Sequence, residues 1–186
     1  MKSERLLECI KTRRSVRAFR PEPVTREIIL KCLEAARYAP SAQNIQPWRF
    51  VVIDEEPVRE SFCKTVFSGP YRATRWAMRA PVLILVCAEK HTLVHGAAAG
   101  LQSIPYHVMD IGISGEHLVL QAQALGLGSC WIGWFHVKKA ARFFHLPRTV
   151  KPLAVIALGY PAATSKPRTR KLKKQEEIFF FNKWKL

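Results

Sequence analysis

The chain has 186 residues, 48% of them hydrophobic, and 30 Lys and Arg against 14 Asp and Glu give it a formal charge of +16. That length holds one domain with its own core, and the composition excludes a disordered, collagen-like or disulfide-stapled chain. The positive charge favours anionic partners, but no zinc finger or RNA-binding aromatic motif accompanies it, so no specific nucleic-acid binding is expected.

Cys9, Cys32, Cys63, Cys87 and Cys130 are widely spaced, with no CxxC pair. They predict buried, reduced thiols, and neither a metal site nor a disulfide framework. No apolar run reaches transmembrane length, and MKSERLLECIKTRR lacks the apolar stretch of a signal peptide, so a cytoplasmic protein without membrane insertion is expected.

Residues 3–12 predict a helix with Leu6, Leu7 and Ile10 on one face. Arg13 to Phe19 (RRSVRAF) follows. In an extended segment Ser15 and Arg17 point to one side, and the arginine fork matches phosphate or carboxylate. Read alone, the run is a weak motif, and a solvated charged stretch is the commoner reading. Pro21 and Pro23 break the chain, and Thr25 caps a second helix whose inner face is Ile28, Ile29, Cys32, Leu33 and Ala36. Pro40 to Trp48 (PSAQNIQPW) is bounded by prolines and rich in amides. Asn44 and Gln46 both donate and accept, which suits the edge of a heterocycle carrying carbonyls and ring nitrogens; an ordinary turn is the alternative.

Arg49–Ile53 predicts a strand and 57–66 a helix. Residues 67–80 show no clean period and read as a mobile cover. Pro81–Ala88 is a continuous apolar run, hence a strand buried on both faces. His91 to Ser103 carries no decisive pattern. The hub is the stretch from Pro105 to Phe135. Val108, Ile111, Gly115, Leu118, Ala122 and Leu125 form one stripe of a helix of about 20 residues, roughly 30 Å long, started by Pro105 and stopped at Gly126. Gly112, Ser114 and Gly115 are small enough for another backbone to approach. Cys130–Phe135 predicts a strand, and 137–144 a short helix flanked by His136 and His145, both read as surface or capping residues. Leu153–Gly159 is another buried strand. Ser165–Lys174 is basic, and Ile178–Phe181 with Trp184 brings an apolar end that needs a surface to dock on. Four strands alternating with helices imply one sheet covered on both faces. There is no GxGxxG, P-loop, HExxH or GxSxG motif.

Four of these pieces occur together and in order: RRSVRAF, PSAQNIQPWRF (Pro40–Phe50), ALGLGSCWIGWF (Ala124–Phe135) and ALGYP (Ala157–Pro161). The combination resembles the nitroreductase family of flavoenzymes. The resemblance implies an α+β fold: a three-layer α/β/α sandwich with a mixed or antiparallel four-stranded sheet wrapped by helices. Residues 1–164 would form the FMN-binding domain of a homodimer, with 165–186 as a basic arm and apolar tail added to the partner subunit.

By the same resemblance, Arg13, Arg14, Ser15 and Arg17 would contact the FMN phosphate, ribityl chain and pyrimidine edge. Pro40, Ser41, Ala42, Asn44 and Gln46 would approach the flavin from the other subunit. Cys130, Trp131, Ile132 and Gly133 would lie along the isoalloxazine. Arg170 or Lys171 would close on the phosphate, although RKLKKQEE (Arg170–Glu177) lacks the proline of the family's Arg-Lys-Pro-Leu-Glu-Glu. Phe67, Tyr71 and Trp76 of the cover would sandwich a flat acceptor.

The implied activity is an FMN-dependent oxidoreductase. It would take hydride from NADH or NADPH and reduce a nitroaromatic, quinone or related conjugated acceptor by a ping-pong mechanism. No metal and no catalytic protein acid or base is implied. Two alternatives stand beside it. One is the same fold with other flavin chemistry, such as dehalogenation, dehydrogenation or flavin destruction. The other is a basic nucleic-acid or membrane-binding protein that keeps only the fold.

Overall fold

The computed structural model describes residues 3–89, 104–165 and 170–184. Among them are the helices α1 (Ser3–Thr12), α2 (Arg26–Arg37), α3 (Glu56–Val66), α4 (Tyr106–Ala124) and α5 (Val137–Phe143). The strands are β1 (Trp48–Ile53), β2 (Val82–Glu89), β3 (Gly128–Ile132) and β4 (Val150–Gly159). The expected link from His91 to Ser103 lies outside the described residues.

The strands form one sheet in the order β1-β2-β4-β3, every neighbour antiparallel. β2 is central and reads as an unbroken apolar run because helices cover both faces, not because the sheet is parallel. Its side chains alternate between two cores. Val82, Ile84 and Val86 face α2 and α4, with Ile29, Cys32, Leu118 and Ala122. Leu83, Leu85 and Cys87 face α3 and α5, with Phe62, Val66 and Ala140. These layers make the α/β/α sandwich. β4 starts earlier than its apolar run because Lys151 and Pro152 also pair with β2. The register slips between Val86 and Cys87, opposite Ala154 and Pro152, so the proline sits at a bulge, where a missing N–H is tolerated. β3 starts at Gly128 and ends at Ile132, so Gly133, Trp134 and Phe135 form the following turn and not the strand end expected.

α4 follows the expected limits closely. Pro105 occupies its N-cap, and its C-terminus closes in a Schellman motif. Leu127 N–H donates to Ala122 O at 2.9 Å and Gly126 N–H to Gln123 O at 3.1 Å, with Gly126 at φ 77°. Of the expected stripe, Ile111, Gly115, Leu118 and Ala122 are buried, while Val108 is exposed. The small residues serve different neighbours. A side chain at Gly115 would overlap the Trp131 ring, whereas one at Gly112 would meet nothing. Ser114 Oγ donates to Ala36 O of α2 at 2.9 Å.

His145 takes the left-handed position after α5, at φ 48°, and its N–H donates to Arg142 O at 3.1 Å. His136 is the N-cap residue. Both histidines therefore stand at helix ends.

Candidate functional site

β3 is an edge strand, and the arginine motif is laid along its free side. Ser15 bridges Ser129 in parallel, with Val16 N–H donating to Ser129 O at 2.9 Å. Gly128 makes this close approach possible, since a Cβ there would lie 2.7 Å from a Val16 methyl. Phe19 then bridges Pro161, so the motif is pinned at both ends.

Ser129 turns its amide groups away from β4, and strand alternation gives Trp131 the same orientation, leaving its backbone on the open edge. Cys130 and Ile132 are buried, and Trp131 packs on the opposite face against Gly115. The four residues Cys130 to Gly133 therefore offer a ligand backbone edge more than a row of side chains.

The donor set around this edge fits an anion. Burial pushes the Cys130 thiol above its ordinary value, while the charge of Arg17, the Ser15 side chain and the charge of Arg13 pull the other way. Arg13 also pairs with Glu116 of α4 at 3.3 Å. Arg14 donates to Ser165 Oγ at 3.0 Å and to the Ser165 carbonyl. Arg170 donates to the Arg13 carbonyl, so the basic arm returns to the motif, while Lys171 is exposed. Arginine forks, a serine hydroxyl and a strand edge suit the phosphate and polar ring edge of a flavin mononucleotide.

The amide-rich loop sits further along α4. Ala42 N–H donates to Asp110 Oδ1 at 3.2 Å, and Gln46 N–H to Ser41 Oγ at 2.9 Å. The Gln46 amide donates to Asn44 Oδ1 at 3.0 Å. Gln43, Asn44 and Gln46 have φ near 52–54°, a left-handed conformation that non-glycine residues hold only under constraint, commonly at ligand clamps. Pro40 and Ser41 open the loop. Asp110 is buried, and its Oδ2 has no partner among the described residues. This was missed in the sequence, where an aspartate in an apolar helix offered the only signal.

The expected cover is ordered as a 3₁₀ helix, Gly69–Arg79. Its three-residue turn explains why no 3.6-residue pattern was legible. Tyr71 and Trp76 belong to it, but Phe67 does not line a cleft. Phe67 is fully buried with Phe62, Val66 and Leu85, so its place as a substrate-sandwiching residue is corrected to core packing. Trp134 Nε1 donates to Pro70 O and Thr74 Oγ1 to Trp134 O, each at 3.1 Å. The Tyr71 and Trp134 rings are 5.0 Å apart, and the Arg17 guanidinium lies 5.8 Å from the Trp76 ring. A separate groove of about 580 Å³ lies behind the Phe19 segment, lined by Pro21, Arg59 and Met78 among others.

Comparison with known proteins agrees with this geometry. The model of the nitroreductase family matches residues 10–160. A Methanothermobacter thermautotrophicus protein named NADH dehydrogenase/NAD(P)H nitroreductase is 38% identical over 184 residues, covering 96% of this chain and 87% of that protein. The FMN reductase [NAD(P)H] of Bacillus subtilis is 26% identical, covering 89% and 69%. A solved structure from Bacteroides thetaiotaomicron, also named NADH dehydrogenase/NAD(P)H nitroreductase, superposes with a TM-score of 0.76 at 27% identity, covering 97% and 98%. The sandwich fold and these matches define the class, and the chain belongs to the nitroreductase family. Together with its named relatives, that family defines FMN-dependent NAD(P)H oxidoreductases.

Proposed function

We propose that this chain is a homodimeric FMN enzyme that takes reducing equivalents from NADH or NADPH and passes them to a nitroaromatic, quinone or related flat acceptor. The placement of the Arg13–Arg17 segment along the edge of β3, with Ser15 bridged to Ser129, carries this reading. Bound FMN supplies the hydride chemistry; the protein supplies binding and orientation. The arginines hold the phosphate, and the Trp131 backbone edge aligns the ring system. Both carboxylates of α4 near the site are engaged, Asp110 with Ala42 and Glu116 with Arg13. Glu116 is held by an arginine and Asp110 anchors the amide loop, so in this reading catalysis rests on positioning. Co-substrate and acceptor use one open face in turn, a ping-pong order.

The dimer is supported by the outer face of α4. Val108, Met109 and Ile113 are exposed there around an open Gly112, beside exposed Leu6, Leu7 and Ile10 of α1. The amide loop touches α4 at Asp110 and the arginines at Glu116, six residues or about 9 Å apart along the axis. A partner copy brings the loop of one chain to the arginines of the other. In the tail, residues 165–186, Ser165 and Arg170 bond to this chain's own Arg14 and Arg13, while exposed Ile178, Phe179, Phe181 and Trp184 support docking of the apolar end on that partner. Among the described residues no helix is long and apolar enough to cross a membrane. Five free cysteines accord with a cytoplasmic location.

The test is optical and kinetic. Purified protein is expected to be yellow, to bleach with NADH or NADPH, and to give parallel double-reciprocal lines when both substrates vary. The double variant Arg13→Ala/Arg17→Ala is expected to be folded and colourless. Full flavin content in that variant, or intersecting lines, would count against the reading.

A further inference from the structure

We propose that Arg72 and Arg75 bind the 2′-phosphate of NADPH and make this enzyme select NADPH over NADH. The inference rests on the flavin site proposed above and assigns its co-substrate.

Placement comes first. The Gly69–Arg79 segment is held at two points that flank the proposed flavin edge. At one, Pro70 and Thr74 bond to Trp134, the residue after Gly133. At the other, Trp76 lies under Arg17. Residues 70–76 therefore bridge from the end of β3 to the arginine motif.

Orientation follows from the 3₁₀ period. Side chains three apart lie in one row. Tyr71, Thr74 and Ala77 form the docked row: Tyr71 packs on Trp134, Thr74 bonds to its carbonyl, and Ala77 is fully buried. Arg72 and Arg75 share the adjacent row and are exposed. Their Cα atoms differ by about 6 Å in rise, close enough for both forks to reach one phosphate.

Charge sets these two arginines, like Arg79 at the end of the same segment, apart from those held in ion pairs. Arg26, Arg37 and Arg49 each pair with a carboxylate, Asp54, Glu34 and Glu89 respectively. Arg72 and Arg75 have no ion pair among the described residues. From Ser61 to Ala88 the sequence has no Asp or Glu, and from His136 to Lys174 there is none either. α5, in the second of these stretches, adds exposed Lys138 and Arg142, and Lys139 donates to Ser68 Oγ at 3.3 Å. Asp54 and Glu56 lie beside Met78 and Arg79 at the far end of the cover, so its positive charge is concentrated toward Arg72 and Arg75. The FMN phosphate falls to the Arg13–Arg17 motif, which leaves these two arginines to a second dianion. NADPH differs from NADH by one such group. An acceptor carrying a carboxylate shares the anionic chemistry, and the experiment separates the two.

The experiment uses the FMN-loaded enzyme with 1,4-benzoquinone as a neutral acceptor. Wild type is expected to show kcat/KM for NADPH about ten- to a hundredfold above that for NADH, the range left for two charge-assisted bonds once solvent exposure is discounted. Arg72→Gln/Arg75→Gln is expected to bring that ratio near one through a raised KM for NADPH. Raising NaCl from about 0.02 to 0.3 M is expected to raise the wild-type KM for NADPH more than that for NADH. An NADH-preferring wild type, or an unchanged ratio in the double variant, overturns the proposal. So does an effect confined to 4-nitrobenzoate against neutral nitrobenzene as acceptor. Protein that binds no FMN overturns the flavin reading and this inference together. Normal FMN content with an unchanged ratio overturns this inference alone.

Discussion

Asp110 spends one carboxylate oxygen on the Ala42 amide and leaves the other buried without a partner. An unsatisfied buried oxygen costs stability, of order 1–3 kcal/mol. The residue also anchors the loop in which Gln43, Asn44 and Gln46 hold left-handed backbone. This points to a role in presenting the loop rather than in stabilising the fold. Asp110→Ala is expected to weaken FMN binding roughly tenfold, about 1.4 kcal/mol, while the melting temperature of the flavin-free protein does not fall. Fluorescence titration with FMN and thermal melts of the flavin-free form measure the two. A lower melting temperature with unchanged FMN affinity would mean that Asp110 is structural.

At the scale of elements, α4 serves several neighbours with one sequence. Its inner face packs on β2, Gly115 receives Trp131 from β3, and Ser114 ties it to α2. The remaining face presents Val108, Met109 and Ile113 to solvent. Monomeric proteins rarely expose so continuous an apolar strip, and stable two-fold interfaces bury roughly 2,000 Å² or more. Ile113→Glu places a charge in the centre of that strip. The expected result is a dimer for wild type and a monomer with reduced FMN content for the variant, read by light scattering and absorbance. A wild-type monomer at low micromolar concentration would remove the dimer.

At the scale of the molecule, two opposing trends govern alkaline stability. Burial pushes the thiols of Cys32 up to about 11 and of Cys63 and Cys87 up to about 12. The folded state therefore holds these protons more tightly than the unfolded chain. Their contribution is complete below about pH 9 and is lost as pH rises toward 11–12. The charge of +16 works the other way, because losing lysine charge toward the pI near 10.1 relieves repulsion. Comparing Cys63→Ala with wild type isolates the thiols. Between pH 9 and roughly 10.5 the urea midpoint is expected to fall more steeply in wild type. Equal slopes would show that the Cys63 thiol does not contribute.

Short-range physics made much of this protein legible from its residues. Thr25, Pro105 and Gly126 mark helix ends because caps and left-handed stops act within a few residues. The apolar runs of β2 and β4 announce burial on both faces. The ordered motifs around Arg13, Pro40, Ala124 and Ala157 carry the family resemblance, and with it the flavin. Sequence could not resolve what depends on which distant side chains meet. Phe67 reads as part of a cover until its neighbours Phe62 and Leu85 enclose it. The Gly69–Arg79 segment is tied to Trp134, about 60 residues away, a contact that no local pattern announces. Whether Gly115 admits a backbone or an indole, and whether Asp110 is a solvated charge or a loop anchor, were decided only when β3 and the amide loop packed against α4.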